Sequence, residues 1–159
     1  DFERWILEEV PAAAAHATPT ISERSPLFLA GLSMGGFGAL RIGAKYPRHF
    51  RGIAGHSSIT HFDQISDFVE ESRGSYTAPG EDRCVLDTML RSRGQLPPVR
   101  FDCGLEDPLI EANRALHRGL VEAGVAHEYE EFAGAHEWRY WELHLADTLR
   151  FFARALITP

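Results

Sequence analysis

A chain of 159 residues with 44% hydrophobic and 25% charged side chains is one domain's worth of ordinary globular sequence, long enough to bury a substantial core. Its net charge of −7, with no basic block and no basic helical face, argues against nucleic acid or an anionic membrane as partner, and no run approaches the roughly 18 apolar residues of a membrane span. Cys84 and Cys103 lack metal-ligand spacing and read as free thiols, which points to a reducing compartment such as the cytoplasm.

Phe2, Ile6 and Val10 recur at helical intervals, and Pro11 is expected to kink or restart that helix. His16 falls at its end and reads as a surface residue, and Thr18 to Pro26 is a polar loop containing two prolines. Leu27 to Ala30 is then a short apolar run with the look of a buried strand, followed at once by Gly31-Leu32-Ser33-Met34-Gly35 and by the helical spacing of Phe37, Leu40 and Ile42. A strand, an abrupt turn and a helix follow one another without a spacer.

Beyond that helix, Lys45-Tyr46-Pro47 breaks the pattern and Phe50 to Ser57 reads as a second buried strand, so that the first three elements form a right-handed βαβ unit in a parallel sheet. Residues 58–97 are too long for a minimal crossover. Amphipathic pieces (Phe62 to Ser72, Arg83 to Arg91) flank a flexible Arg73 to Gly80 stretch, and the excursion is expected to form a cap over the sheet's C-terminal edge. The acids Asp63, Asp67, Glu70 and Glu71 read as a solvated helix face. Val99 to Gly104 is the third strand; Leu109, Ala112, Leu116 and Leu120 mark a helix stopped by Gly124; His127 to Phe132 alternates as an edge strand does. The closing helix carries Trp138 or Trp141, then Leu145, Leu149 and Phe152 on one face. The class is α/β, with a mainly parallel sheet of about four strands, flanking helices and a single domain over residues 1–159.

The turn around Ser33 has chemical content. Passing directly from strand to helix holds the central residue in a sparsely populated backbone region and pushes its side chain outward. Gly31 and Gly35 are expected where side chains would collide, and Gly36 and Gly38 where the helix lies against the sheet. Ser33 then stands at a helix N-terminus, where free N–H groups and the helix dipole favour developing negative charge, and the N–H of Met34 is the expected oxyanion donor. A bare G-x-S-x-G arises by accident in roughly one chain in twenty of this length. The accident rarely has an apolar strand before it and a Gly-rich helix after it.

A serine hydroxyl needs a base, and the base needs an acid to orient it. Where such a turn carries acyl chemistry, the chain order is Ser, then Asp or Glu, then His, each after a strand's C-terminal end. Asp107 follows the third strand and His136 the fourth. Asp107 followed by Pro108 is also the pattern of a helix start, and both roles suit one carboxylate; Glu106 and Asp102 are reserves. Of the eight histidines, His136 alone combines a post-strand loop, small neighbours and a place after the acid. Leu32 and Trp138 are candidates for the substrate pocket, and so is His56 at the end of the second strand, though a structural histidine is the plainer reading there. No metal and no cofactor is called for.

Gly31-Leu32-Ser33-Met34-Gly35-Gly36-Phe37-Gly38-Ala39-Leu40, Cys103-Gly104-Leu105-Glu106-Asp107 and Gly134-Ala135-His136-Glu137-Trp138 resemble the esterase D family of α/β hydrolases. That family takes in S-formylglutathione hydrolases, short-chain acyl esterases, feruloyl esterases and mycolyl transferases. The resemblance implies Ser33 as nucleophile, Asp107 as acid, His136 as base and a small ester as substrate. It also implies further strands and a second oxyanion-donating loop upstream of residue 1, so that this chain, which opens at Asp1 in mid-helix, corresponds to the C-terminal part of the fold. One side of Leu27 to Ala30 is then without a strand partner, which predicts self-association into a homo-oligomer. An acyltransferase using the same residues, or a non-catalytic module that keeps the turn for packing, are the alternatives to a hydrolase.

Overall fold

The computed structural model describes residues 2–22, 24–68 and 80–157. Its centre is a four-stranded sheet, β1 (Phe28–Leu32), β2 (Gly52–His56), β3 (Val99–Gly104) and β4 (Glu128–Phe132), in that spatial order and parallel throughout. Helix α1 (Phe2–Arg4), a π-helical turn over Trp5–Glu9 and α2 (Val10–Ala17) run as one piece before β1. Pro11 restarts this helix as expected: the register slips to i→i−5 just ahead of it, Val10 donating to the carbonyl of Trp5, and the proline falls in the first turn of α2 where its missing N–H costs nothing.

Helix α3 (Met34–Lys45) links β1 to β2, α4 (Val85–Arg91) precedes β3, α5 (Ile110–Glu122) links β3 to β4, and α6 (Trp138–Ile157) closes the chain. The two faces of the sheet differ in chemistry because side chains alternate along each strand. Ile53, Val99, Phe101 and Cys103 point into one apolar core with Leu40, Ile42, Leu116 and Leu120 from α3 and α5. The alternate positions, among them His56, Arg100 and Asp102, are buried on the other face, beneath α6.

Residues 58–68 and 80–97 refine the expected cap. A 3-10 segment (Phe62–Asp67) replaces the first half of the amphipathic helix, and an antiparallel bridge between His61 and Cys84 closes the base of the excursion. Helix α4 packs on α3 and α5 as a crossover helix does, so the second half of the excursion completes a βαβ unit and is not cap. The expected flexible stretch and the acids Glu70 and Glu71 fall outside the described residues. Among the described residues β1 forms one edge of the sheet and pairs with β2 alone. Among the described residues no helix is long and apolar enough to cross a membrane.

Candidate active site

Ser33 sits between β1 and α3 with φ 53° and ψ −119°, outside the regions an L-residue adopts freely. Gly31 permits this: a β-carbon there would lie 2.2 Å from the carbonyl oxygen of Gly35. Gly36 is required as well, against Ser58, whereas Gly35 and Gly38 face open space and carry no steric reason for glycine. The strained turn is stitched at both ends, the Ser33 N–H donating to the carbonyl of His56 at 2.9 Å and the Ser33 carbonyl accepting from Phe37 at 3.1 Å and Ile59 at 3.2 Å. Met34 is the first residue of α3, where a backbone N–H has no intrahelical acceptor.

The Ser33 hydroxyl meets His136 Nε2 at 2.9 Å, and His136 Nδ1 meets Asp107 Oδ2 at 2.8 Å. Serine and histidine are 103 residues apart. Asp107 Oδ1 accepts the Leu109 N–H at 2.8 Å, an Asx turn that fixes the carboxylate plane; α5 itself begins only at Ile110, so Asp107 is not its N-cap. Burial works against ionisation of Asp107, but the His136 ring and the Leu109 N–H outweigh it and hold the carboxyl below its ordinary range. The reserves are occupied elsewhere. Glu106 accepts the Gly134 N–H at 2.6 Å, and Asp102 lies on the α6 face of the sheet.

The His136 ring is held between two aromatic side chains, Phe68 at 4.8 Å between centroids and Trp141 edge-on at 5.0 Å. Trp138, 69% exposed, makes an edge contact with Trp141 at 5.3 Å. Of the two tryptophans read on one face of the closing helix, Trp141 is the one that meets the ring, and nothing in the local pattern marks Phe68. Phe68, just past the 3-10 segment, carries no signal of a ring 68 residues away. Leu32 ends β1 half-buried, directly before the serine.

His56 does not line this pocket. The pleat turns its side chain beneath α6, where Nδ1 pairs with Asp102 at 3.0 Å and Nε2 with the Thr148 hydroxyl at 3.0 Å. An apolar cavity of about 550 Å³ opens on the other flank of the turn, between Phe2 and Ile6 of the N-terminal helix and Met34, Phe37 and Phe62. Among the described residues no three His, Cys, Asp or Glu side chains are grouped to hold a metal ion. Burial pushes the Cys103 thiol up, which keeps it protonated and unreactive.

A parallel sheet with helices on both faces and a serine at the strand-to-helix turn is the architecture of the α/β hydrolases. The S-formylglutathione hydrolase FrmB of Staphylococcus aureus superposes with a TM-score of 0.83 at 20% identity, over 95% of this chain and 63% of that one. The family model described as "Putative esterase" matches residues 1–152, and the chain belongs to that family. Among curated proteins it is similar to an acetyl esterase of Caldicellulosiruptor saccharolyticus, 28% identical over 96% of this chain, and to an S-formylglutathione hydrolase of Paracoccus denitrificans, 24% identical over 98%. The chain spans 64% and 57% of those two relatives' own lengths.

Proposed function

We propose that the protein is a serine carboxylic-ester hydrolase acting on short acyl esters, with Ser33 as nucleophile, His136 as general base and Asp107 as the acid that orients it. One observation carries this reading: an unbroken hydrogen-bonded chain from Asp107 through His136 to a serine held at positive φ on a helix N-terminus. Ser33 Oγ attacks the ester carbonyl as its proton passes to His136 Nε2. The imidazolium that forms is stabilised by the Asp107 carboxylate, and the carbonyl oxygen gathers negative charge beside the Met34 N–H. Collapse returns the proton to the departing alcohol and leaves an acyl-serine, which water, deprotonated by His136, releases as the acid.

Short acyl groups are supported by the relatives' names, since acetyl and formyl are the smallest acyl units. Phe68 and Trp141 both touch the His136 imidazole and so form walls of the site beside the general base. The test is fluorophosphonate labelling of the purified protein beside hydrolysis of p-nitrophenyl acetate, butyrate and octanoate. Wild type labels and cleaves acetate fastest, and Ser33→Ala does neither. Equal labelling of Ser33→Ala would end this assignment; octanoate as the best substrate would end the short-acyl part of it.

A further inference from the structure

We propose that His56 and Asp102 are positioning residues for Ser33, a second histidine–carboxylate pair that holds the nucleophile's turn from behind the sheet; the inference rests on Ser33 being the nucleophile. Both side chains are buried, His56 at 4% and Asp102 at 0% exposure. His56 Nδ1 donates to Asp102, and the same carboxylate accepts the Tyr140 hydroxyl at 2.9 Å and a hydrogen bond from Arg100. Arg100 continues to Glu130 at 2.8 Å, and Thr148 closes the far side of the imidazole at 3.0 Å.

Such a cluster is a poor way to stabilise a fold, because stripping water from an arginine, a carboxylate and a histidine offsets much of what they gain from one another. Its main-chain connections are more telling. The His56 carbonyl accepts the Ser33 N–H at 2.9 Å, and the Asp102 carbonyl accepts the Ser57 N–H at 2.8 Å. Ser33 at φ 53° and Ser57 at φ 45° are the two non-glycine residues at positive φ among the described residues. Strained residues persist only where their surroundings over-determine them. Each of these is fastened to one member of the pair.

The side chains then tie that pair to the rest of the site. Asp102 is on the strand that ends in the Asp107 loop, and Tyr140 and Thr148 belong to the helix that follows His136 directly. One buried cluster therefore sets the spacing of the strand ends that carry nucleophile and acid and of the helix behind the base.

A displacement of about 1 Å at a reacting group can cost ~10²-fold in rate. The test compares fluorophosphonate progress curves and ester kinetics for wild type, His56→Leu, His56→Asn, Asp102→Asn and Thr148→Val. The expected result is a 10- to 100-fold lower labelling rate constant per site in His56→Leu and Asp102→Asn, with full labelling at the end point. The loss falls on kcat, with KM within twofold. His56→Asn, whose amide can stand in for the Nδ1 donor, recovers part of the rate.

A merely structural role gives the opposite pattern: fewer sites labelled, each at the wild-type rate. Wild-type rate constants in the His56 and Thr148 variants overturn the proposal even if Asp102→Asn fails to fold. Absence of labelling in wild type removes the nucleophile and this inference with it, whereas loss of labelling in Ser33→Ala beside unchanged His56 variants removes this inference alone.

Discussion

Gly104 and Gly134 approach so closely that a β-carbon on the first would lie 2.2 Å from the carbonyl oxygen of the second. The contact joins the end of β3 to the loop before α6, and it is flanked by the Glu106 N–H donating to that same Gly134 oxygen at 3.0 Å. Gly134 has φ 137°, a conformation open to glycine and strained for other residues. Asp107 and His136 meet because these two backbones can touch. Gly104→Ala forces the loops apart against backbone atoms that cannot rotate away. The expected outcome is a loss of about 1–3 kcal/mol in urea unfolding and about 10²-fold in ester turnover.

Ser33 carries the cost of its own backbone conformation. At φ 53° a non-glycine residue stores roughly 1–3 kcal/mol, part of which glycine returns. Ser33→Gly should therefore be inactive yet more stable by about 1 kcal/mol, while Ser33→Ala is inactive with no such gain. Thermal unfolding of the two variants side by side checks this. A Ser33→Gly protein that melts no higher than Ser33→Ala would show that the turn holds no strain.

If Asp107 is the orienting acid proposed above, its removal has a predictable scale. Asp107→Asn leaves the hydrogen-bond geometry but favours the wrong imidazole tautomer, and about 10⁴-fold of kcat should go with it. Stability at neutral pH changes far less than activity. Steady-state kinetics beside denaturation curves separate the two.

The acid limb of stability follows from two buried carboxyls. Burial raises the cost of ionising both, but the His56 and Arg100 hydrogen bonds at Asp102, and those of His136 and Leu109 at Asp107, outweigh it and hold each below its ordinary value. A carboxyl depressed in the folded state contributes stability that is fully present above the unfolded value of about 3.9 and is lost as pH falls through that value toward the native one. Unfolding free energy should thus fall steeply below pH ~4. Asp102→Asn should flatten that slope; a slope unchanged from wild type would show that Asp102 takes up its proton equally in both states.

The aromatic clamp on His136 divides into two effects. Trp141 is 9% exposed, and Trp141→Ala should cost about 3–5 kcal/mol as a core truncation. Phe68 is half-buried and belongs to the excursion after β2. Phe68→Ala, the truncation of a half-buried ring packed on the edge of the core, should cost less stability than Trp141→Ala and lower the labelling rate several-fold by removing a contact with the His136 ring. Equal losses of stability in the two variants would contradict this division.

Local sequence carried the parts of this site that depend on local backbone. A glycine-flanked serine between an apolar strand and a helix specifies the turn through sterics within five residues, and Asp107 and His136 each follow a strand whose pattern can be read. The α/β class and the four strands were legible for that reason, and so were Ser33, Asp107 and His136 as candidates, which the structure brings within hydrogen-bond reach of one another. Which face of a strand is chemically active was not. His56 stood at the proper strand end, yet the pleat sends it under α6, a choice made by what packs on each side of the sheet. Phe68 touches His136 only because the excursion after β2 returns to the rim that carries the ring. Sequence by itself determined the fold class and the candidate residues for the proposed chemistry; tertiary packing decided which side chains from distant segments surround them, because such contacts are set by the sheet's twist and the burial of its two faces and not by spacing along the chain.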